Sequence, residues 1–346
     1  MNRKEICVVG LGYIGLPLAA ILASNNFKVI GYDINLKKIN LLQNKSFLTN
    51  EDNLNKLLKS RLVRKNLTFT SKSLLANTYM ICVQTPLSKK TKRANIAYIL
   101  QAINSIKKYL NKNSTIILLS TSPVGTTENI YNKLILKNPD LKGIKFAYCP
   151  ERVLPGNIIN EMKFNSHIVG GVDKKSTNYV YKLYKSFLLG EIVKTDSKTA
   201  EFCKLAENAY RDTNIALAND LSKIGQYYSL NMKVAINIAN MHPRVNILDS
   251  GIGVGGHCIP IDPWFLLQHV KNKKNIIRTS REINNNITNS VFKEIRNKIK
   301  ITKRGKKLLF LGVTYKENVS DIRESPAIKI ISKFKKNGFD VLAFDP

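Results

Sequence analysis

Short apolar runs, each closed by glycine, proline or hydroxyl residues, alternate with stretches of helical spacing along the first half of this chain. Ile6-Cys-Val-Val9 is apolar throughout and predicts a parallel strand buried on both faces. Leu16-Pro-Leu-Ala-Ala-Ile-Leu-Ala23 follows as a helix, and Lys28-Val-Ile-Gly-Tyr-Asp33 as a second strand that ends on an acid. Tyr79–Val83, Thr115–Leu119 and Lys145–Cys149 repeat the strand pattern, and each runs into a polar loop. The period then changes. Ser197 to about Leu230 has no proline, and its first glycine is Gly225, so it predicts one long helix. From Lys307 to Lys316 the pattern predicts a strand; Ser320–Pro326 opens a helix to about Lys336, with proline in its first turn, and Asp340–Phe344 is a last strand. The predicted class is α/β. A Rossmann-type domain is expected over 1–195, a central helical region with a glycine-rich loop over 196–300, and the start of a second, incomplete Rossmann-like domain over 301–346. Two strands and one helix cannot bury a core of their own, so this last piece is expected to lean on the rest.

Composition narrows the class. The chain has 346 residues, 44% hydrophobic and 23% charged, as in an ordinary globular protein of two or more domains. The start of the chain runs straight into a strand pattern and shows no secretory signal, and no apolar run reaches the length of a membrane span. The expected setting is cytoplasmic, with no membrane partner. Five cysteines at 7, 82, 149, 203 and 258 form no metal or disulfide spacing. Cys7, Cys82 and Cys149 lie in apolar runs and read as small buried hydrophobes. The net charge of +31 comes from lysines scattered over every segment, with no motif that reads bases. Such a field draws anionic substrates; by itself it supports only nonspecific contact with nucleic acid, and no nucleic-acid partner is expected.

The candidate chemistry sits in the loops. Gly10-Leu-Gly12-Tyr13-Ile14-Gly15 lies between the first strand and helix, and Asp33 closes the next strand. That is the dinucleotide-binding arrangement: glycines allow the tight turn and the approach of a pyrophosphate, and the acid accepts from a ribose hydroxyl. A carboxylate at Asp33 repels the extra phosphate of NADP and favours NAD, although Lys37 and Lys38 follow closely. Gln84-Thr85-Pro86 and Ser120-Thr121-Ser-Pro-Val-Gly125-Thr126-Thr127 follow two further strands, either as cofactor contacts or as ordinary strand-to-helix loops. Glu151-Arg152 follows another, as a surface ion pair or a group that polarises a substrate. Lys204, Asn208 and Arg211 share one helix face, which reads as a wet surface or as donors for an anion. In Gly251-Ile-Gly-Val-Gly-Gly-His257-Cys258-Ile-Pro-Ile-Asp262, glycines clear the way to a thiol, and a carboxylate follows by four residues. His257 beside Cys258 is a weak activating base, because neighbours on a loop point apart.

Over essentially its whole length the chain resembles the UDP-glucose/GDP-mannose dehydrogenase family. The resemblance is carried by Gly10-Leu-Gly-Tyr-Ile-Gly-Leu-Pro, Ser120-Thr-Ser-Pro-Val-Gly, Cys149-Pro-Glu-Arg-Val-Leu-Pro-Gly, Lys204-Leu-Ala-Glu-Asn-Ala-Tyr-Arg-Asp, Gly255-Gly-His-Cys-Ile-Pro-Ile-Asp-Pro-Trp, and Leu311-Gly-Val-Thr-Tyr-Lys with Arg323-Glu-Ser-Pro-Ala. It implies a four-electron oxidation of a sugar C6 from alcohol to acid with two NAD, in a cytoplasmic homodimer built on the central helical region, for surface polysaccharide synthesis. In this reading Cys258 is the nucleophile that forms a thiohemiacetal and then a thioester. Lys204 is the general acid/base, Asn208 a neutral donor and Asp262 the orienter of water, with a loop-capping role for Asp262 as the alternative. Glu151 and Thr121 complete the catalytic set. By motif match, Gly10, Gly12, Tyr13, Ile14, Gly15, Asp33, Thr85, Thr127 and Arg323 fall where the family holds NAD. Arg152, Val153, Lys204, Asn208, Arg211, His242, Arg244, Gly255, Tyr315 and Lys316 fall where it holds the nucleotide sugar. UDP-glucose enzymes of the family carry a second acid where this chain has Pro155. The wording around Glu151, Arg211 and His242 implies a UDP-N-acetyl-hexosamine, UDP-N-acetyl-D-mannosamine first and UDP-N-acetylglucosamine as the alternative. The family's last, UDP-binding domain continues past Pro346, so a truncated, non-catalytic member is a further alternative.

Overall fold

The computed structural model describes residues 5–154, 156–272, 274–301, 307–317, 319 and 321–346. Pro155 and Ser320, both used above, lie outside the described residues. The chain divides into two compact units, Met1–Lys204 and Leu205–Pro346.

The first unit is a doubly wound sheet. In chain order it holds β1 (Glu5–Val9), α1 (Gly15–Ser24), β2 (Lys28–Tyr32), α2 (Leu36–Gln43), α3 (Asp52–Lys59), α4 (Arg61–Asn66), β3 (Leu67–Thr70) and β4 (Thr78–Ile81). Then come α5 (Ala97–Ile106), β5 (Thr115–Leu118), α6 (Thr126–Lys137), β6 (Lys145–Tyr148), α7 (Ile158–Phe164), β7 (His167–Gly171), α8 (Lys174–Lys185) and β8 (Ile192–Asp196). The sheet order is β3-β2-β1-β4-β5-β6-β7-β8, and only the β6–β7 pair is antiparallel. The apolar run of β1 follows from this position. Its side chains alternate between faces, sending Ile6 and Val8 into one core and Cys7 and Val9 into the other. Because β1 and β4 neighbour each other while their connections leave in opposite directions, a crevice opens beyond their carboxyl ends. Cys82 lies just past β4 and is half-buried, not inside the strand.

The long helix is α9 (Ser197–Tyr227), which begins in the first unit and continues through the second. Asp196 starts it, accepting from Thr199 N (2.9 Å) and Thr199 Oγ1 (2.6 Å). The second unit adds α10 (Met232–Ala239), α11 (Asp262–Leu266), α12 (Ile276–Ile301), β9 (Lys307–Leu311), α13 (Pro326–Lys336) and β10 (Asp340–Phe344), with β9 and β10 parallel. The strand expected to reach Lys316 stops at Leu311. Gly312 there takes a φ of +88°, and Asp345 accepts from Val313 N (2.5 Å) and Thr314 N (3.1 Å), so those amides leave the ladder for a carboxylate. The small sheet does lean on a neighbour. Phe334 and Ile330 of α13 pack with Val291, Phe292 and Ile295 of α12, and the Phe292 and Phe334 rings lie 4.7 Å apart.

Candidate active site

The glycine loop at the end of β1 is shaped for close approach. A Cβ on Gly15 would lie 1.8 Å from the Gly10 carbonyl oxygen, and one on Gly10 would lie 2.9 Å from that of Cys82, so both positions pack without side chains. Gly12, by contrast, faces open space, where a ligand meets bare backbone. Asp33 is pinned beside the loop, accepting from Leu11 N (2.8 Å) and Asn35 N (2.9 Å). The Lys38 ammonium donates to Leu11 O (2.9 Å), so it faces the loop backbone. Ile14 packs against the core, and the Tyr13 hydroxyl donates to Glu51 Oε1 (2.9 Å). Past β4, the Thr85 Oγ1 is buried with no hydrogen-bond partner. An open glycine, an anchored acid and an orphaned hydroxyl at the ends of neighbouring strands fit a dinucleotide. Thr127 is placed otherwise: it is fully buried, and its hydroxyl (2.6 Å) and N–H (2.8 Å) both donate to Glu201.

Also in the first unit, Glu151 follows β6 and is 7% exposed, with Oε2 lacking a partner. Burial pushes its carboxyl up to about 7, against the pull of nearby Lys204 and Arg152. A surface ion pair is thereby ruled out for Glu151. Arg152 donates through Nη2 to Ser166 O and to Ser166 Oγ (2.8 Å), and Val153 packs on the core. Thr121 is half-buried in the loop after β5. Glu201, which sequence reasoning passed over, lies one helical turn before Lys204 and is completely buried. It accepts from Gly125 N (2.6 Å) as well as from Thr127, clamping the start of α9 to the loop before α6; burial holds its carboxyl near 7.

In the second unit, Asn208 of α9 and Asp262, the first residue of α11, are both buried and joined by Nδ2 to Oδ2 at 2.6 Å. Asp262 N (2.9 Å) and Ile261 N (3.0 Å) donate to the Cys258 carbonyl, so thiol and carboxylate belong to one turn. Cys258 is half-buried. The glycines before it admit a neighbour: a Cβ on Gly255 would lie 2.5 Å from Tyr315 Cβ, and Gly256, with φ of +82°, lies under the Tyr315 ring and donates to Arg323 O (3.1 Å). Burial raises the Tyr315 phenol, with Asp321 and Cys258 adding to it. Gly255, Cys258, Tyr315 and Arg323, 68 residues apart at the extremes, therefore share one neighbourhood. The Arg323 guanidinium is paired with Asp321. Lys316, Arg211, His242 and Arg244 are exposed, and Arg211 stands apart from the buried face that carries Asn208.

That buried face was not legible as a site. Besides Asn208 it carries Asp212 and Asn219. Asp212 pairs with Arg281 of α12, and Asn284 donates to its carbonyl and carboxylate (2.8 Å each). Asn219 donates to Asn284 (3.2 Å) and accepts from Gly251 N (2.9 Å), where the glycine loop begins. The signal was present: positions 201, 208, 212 and 219 recur at helical spacing among Leu205, Ala209 and Ala216.

A doubly wound sheet with this cradle at its switch point, an acid after β2 and a thiol on a glycine loop defines an NAD-dependent dehydrogenase. The chain belongs to the UDP-glucose/GDP-mannose dehydrogenase family. The family's NAD-binding domain matches residues 4–188, its central domain 198–286 and its UDP-binding domain 309–346, which makes the protein an NAD-dependent UDP-sugar dehydrogenase. UDP-N-acetyl-D-mannosamine dehydrogenase of Methanocaldococcus jannaschii is 48% identical over 344 residues, covering 99% of this chain and 79% of that protein. The enzyme of the same name from Campylobacter jejuni is 42% identical over 357 residues, covering 100% and 88%. The solved structure of UDP-D-ManNAc dehydrogenase from Pyrococcus horikoshii superposes with a TM-score of 0.94 at 37% identity, covering 99% of this chain and 83% of that one. Among the described residues no helix is long and apolar enough to cross a membrane, and no group of His, Cys, Asp and Glu side chains is arranged to hold a metal.

Proposed function

We propose that this chain oxidises UDP-N-acetyl-D-mannosamine at C6 to the uronate, a four-electron reaction suited to supplying an acidic sugar for a surface polysaccharide. Relatives named for that sugar at 42% and 48% identity support the substrate. The observation that carries the chemistry is the buried Asn208–Asp262 bond, which fastens α9 to the turn bearing Cys258. The reading requires Lys204, one turn before Asn208, and Cys258 to act on the same carbon.

Bound NAD supplies the acceptor for two electrons in each of two oxidations. Lys204 takes the proton of the C6 hydroxyl as the aldehyde forms. Cys258 Sγ then adds to the aldehyde carbon as its S–H bond breaks and the thiol proton passes to water, the carbonyl oxygen takes back the proton held on Lys204, and a thiohemiacetal results. Lys204 removes that proton again in the second oxidation, leaving a thioester. Water held by Asp262 adds to the thioester carbon, the C–S bond breaks, and the thiol is restored as the acid leaves. The amide of Asn208 and the ammonium of Lys204 steady the oxyanions on the way. Glu151 and Thr121, after β6 and β5, complete the proton path. Arg152, Val153, Arg211, Gly255, Tyr315 and Lys316 hold the nucleotide sugar, and Arg323 joins the cofactor contacts.

We also infer a homodimer. The second half of α9 exposes Leu217 and Ile224 at helical spacing, with Tyr228 exposed just past its end, and the α10 region exposes Val234, Ile238 and Met241. A second copy of the chain covers these faces, with His242 and Arg244 serving the partner's site.

Counting NADH per sugar tests the chemistry. The wild-type chain should give two per UDP-N-acetyl-D-mannosamine, and Cys258→Ser should form no acid. Full turnover by that variant would remove the thiol from the mechanism. A count of two with UDP-N-acetylglucosamine and none with the mannosamine sugar would replace the substrate.

A further inference from the structure

Glu51 lies far in sequence from every motif described above, yet it joins two of them. It is 8% exposed at the residue before α3. Its Oε1 accepts from the Tyr13 hydroxyl (2.9 Å) on the glycine loop and from Gly156 N (2.6 Å) on the loop that begins at Glu151. Its Oε2 accepts from Ile158 N (3.3 Å), the first residue of α7. The carboxylate is held in place from behind. Glu51 N donates to Thr49 Oγ1 (3.1 Å), Asn55 N donates to Glu51 O (3.0 Å), and Thr49 N donates to Asn55 Oδ1 (3.0 Å). Hydrogen bonds to a buried carboxylate are among the stronger ones, and an amide that loses such an acceptor is left unsatisfied.

We propose that Glu51 is a positioning residue that couples the cofactor loop to the Glu151 loop, so that occupation of the NAD site is transmitted to the residues beside the sugar. The link runs from the Tyr13 phenol through one carboxylate oxygen to the Gly156 amide. Tyr13 is 39% exposed at the crest of the glycine loop, so it is open to the dinucleotide while its hydroxyl is held from below. The proposal rests on the reading above, whose covalent thiohemiacetal holds the sugar between two oxidations that each spend one NAD. A grip shared by both loops holds Gly156 and Ile158 in place between those two oxidations.

Amide hydrogen exchange, read by mass spectrometry with and without saturating NAD, tests this without sugar oxidation. In the wild-type chain NAD should slow exchange in the peptide containing Gly156 and Ile158. In Glu51→Gln those amides should exchange about tenfold faster without NAD, the response to NAD should vanish, and the NAD dissociation constant by isothermal titration should rise about three- to tenfold, the size of one ordinary hydrogen bond. Tyr13→Phe cuts only the cofactor side. It should keep Gly156 as protected as in the wild type while losing the NAD response, and it decides the matter if Glu51→Gln does not fold. An unchanged NAD response in either variant, or none in the wild type, overturns the coupling. A wild-type chain that shows the response but leaves UDP-N-acetyl-D-mannosamine untouched overturns the substrate reading and leaves the coupling standing.

Discussion

At the scale of single residues, two glutamates are held near neutrality by burial, and their surroundings separate their roles. Glu201 spends both oxygens on Gly125 and Thr127, which is the posture of a clamp. Glu151 keeps one oxygen without a partner and has Lys204 and Arg152 nearby, the posture of a group that trades protons. The sign of its effect on stability follows from the shift. A carboxyl at about 7 in the fold, against 4.5 ordinarily, favours folding in its protonated form. That contribution is complete below about pH 4.5 and is lost as pH rises toward 7, on the order of 3 kcal/mol for a shift of this size. Glu151→Gln should flatten the decline in stability between pH 4.5 and 7, as read from urea midpoints. The same variant should remove a limb of the kcat profile that climbs through pH 7 as the carboxylate forms. Glu151 itself was legible from its place after an apolar run. Its burial was not, because an acid next to an arginine in sequence looks the same whether or not water reaches it.

At the scale of elements, α9 does the joining within the second unit. Its length was legible, since an unbroken span without proline can hardly be anything else. Its buried seam was not: Lys204, Asn208 and Arg211 read in sequence as one face, whereas in the fold Arg211 is exposed and Asn208 shares the buried side with Asp212 and Asn219, which meet α12. No sequence reading had placed α12, because Asn284-Asn-Asn-Ile-Thr-Asn is poor in helix formers, and packing overrides that weak local preference. Asp212 and Arg281 are each almost wholly buried, at 0% and 2% exposure. Asp212→Ala should therefore cost about 3–5 kcal/mol, most of it from stranding the guanidinium, and thermal unfolding should show it. A loss no larger than that of an exposed alanine substitution would mean that Arg281 finds water or another acceptor.

At the scale of the whole molecule, the apolar faces left by α9 and α10 predict association. Paired Ile224→Lys and Ile238→Lys substitutions should convert a dimer to a monomer in sedimentation, because two exposed, apolar positions become charged. A wild-type chain that sediments as a monomer would remove the dimer altogether. The sequence alone determined the sheet and its cradle, because a strand buried on both faces, a glycine turn and a following acid are local requirements written within about thirty residues. It also put the thiol on a glycine-rich loop, since glycine permits what few other residues can. Only the tertiary structure decided which acids are dry, which helix stripe carries hydrogen bonds, and that Glu51 spans two loops. Spacing among apolar neighbours marks the stripe at 201, 208, 212 and 219, but the partner that lies across the interior from each side chain is not written in the residues beside it.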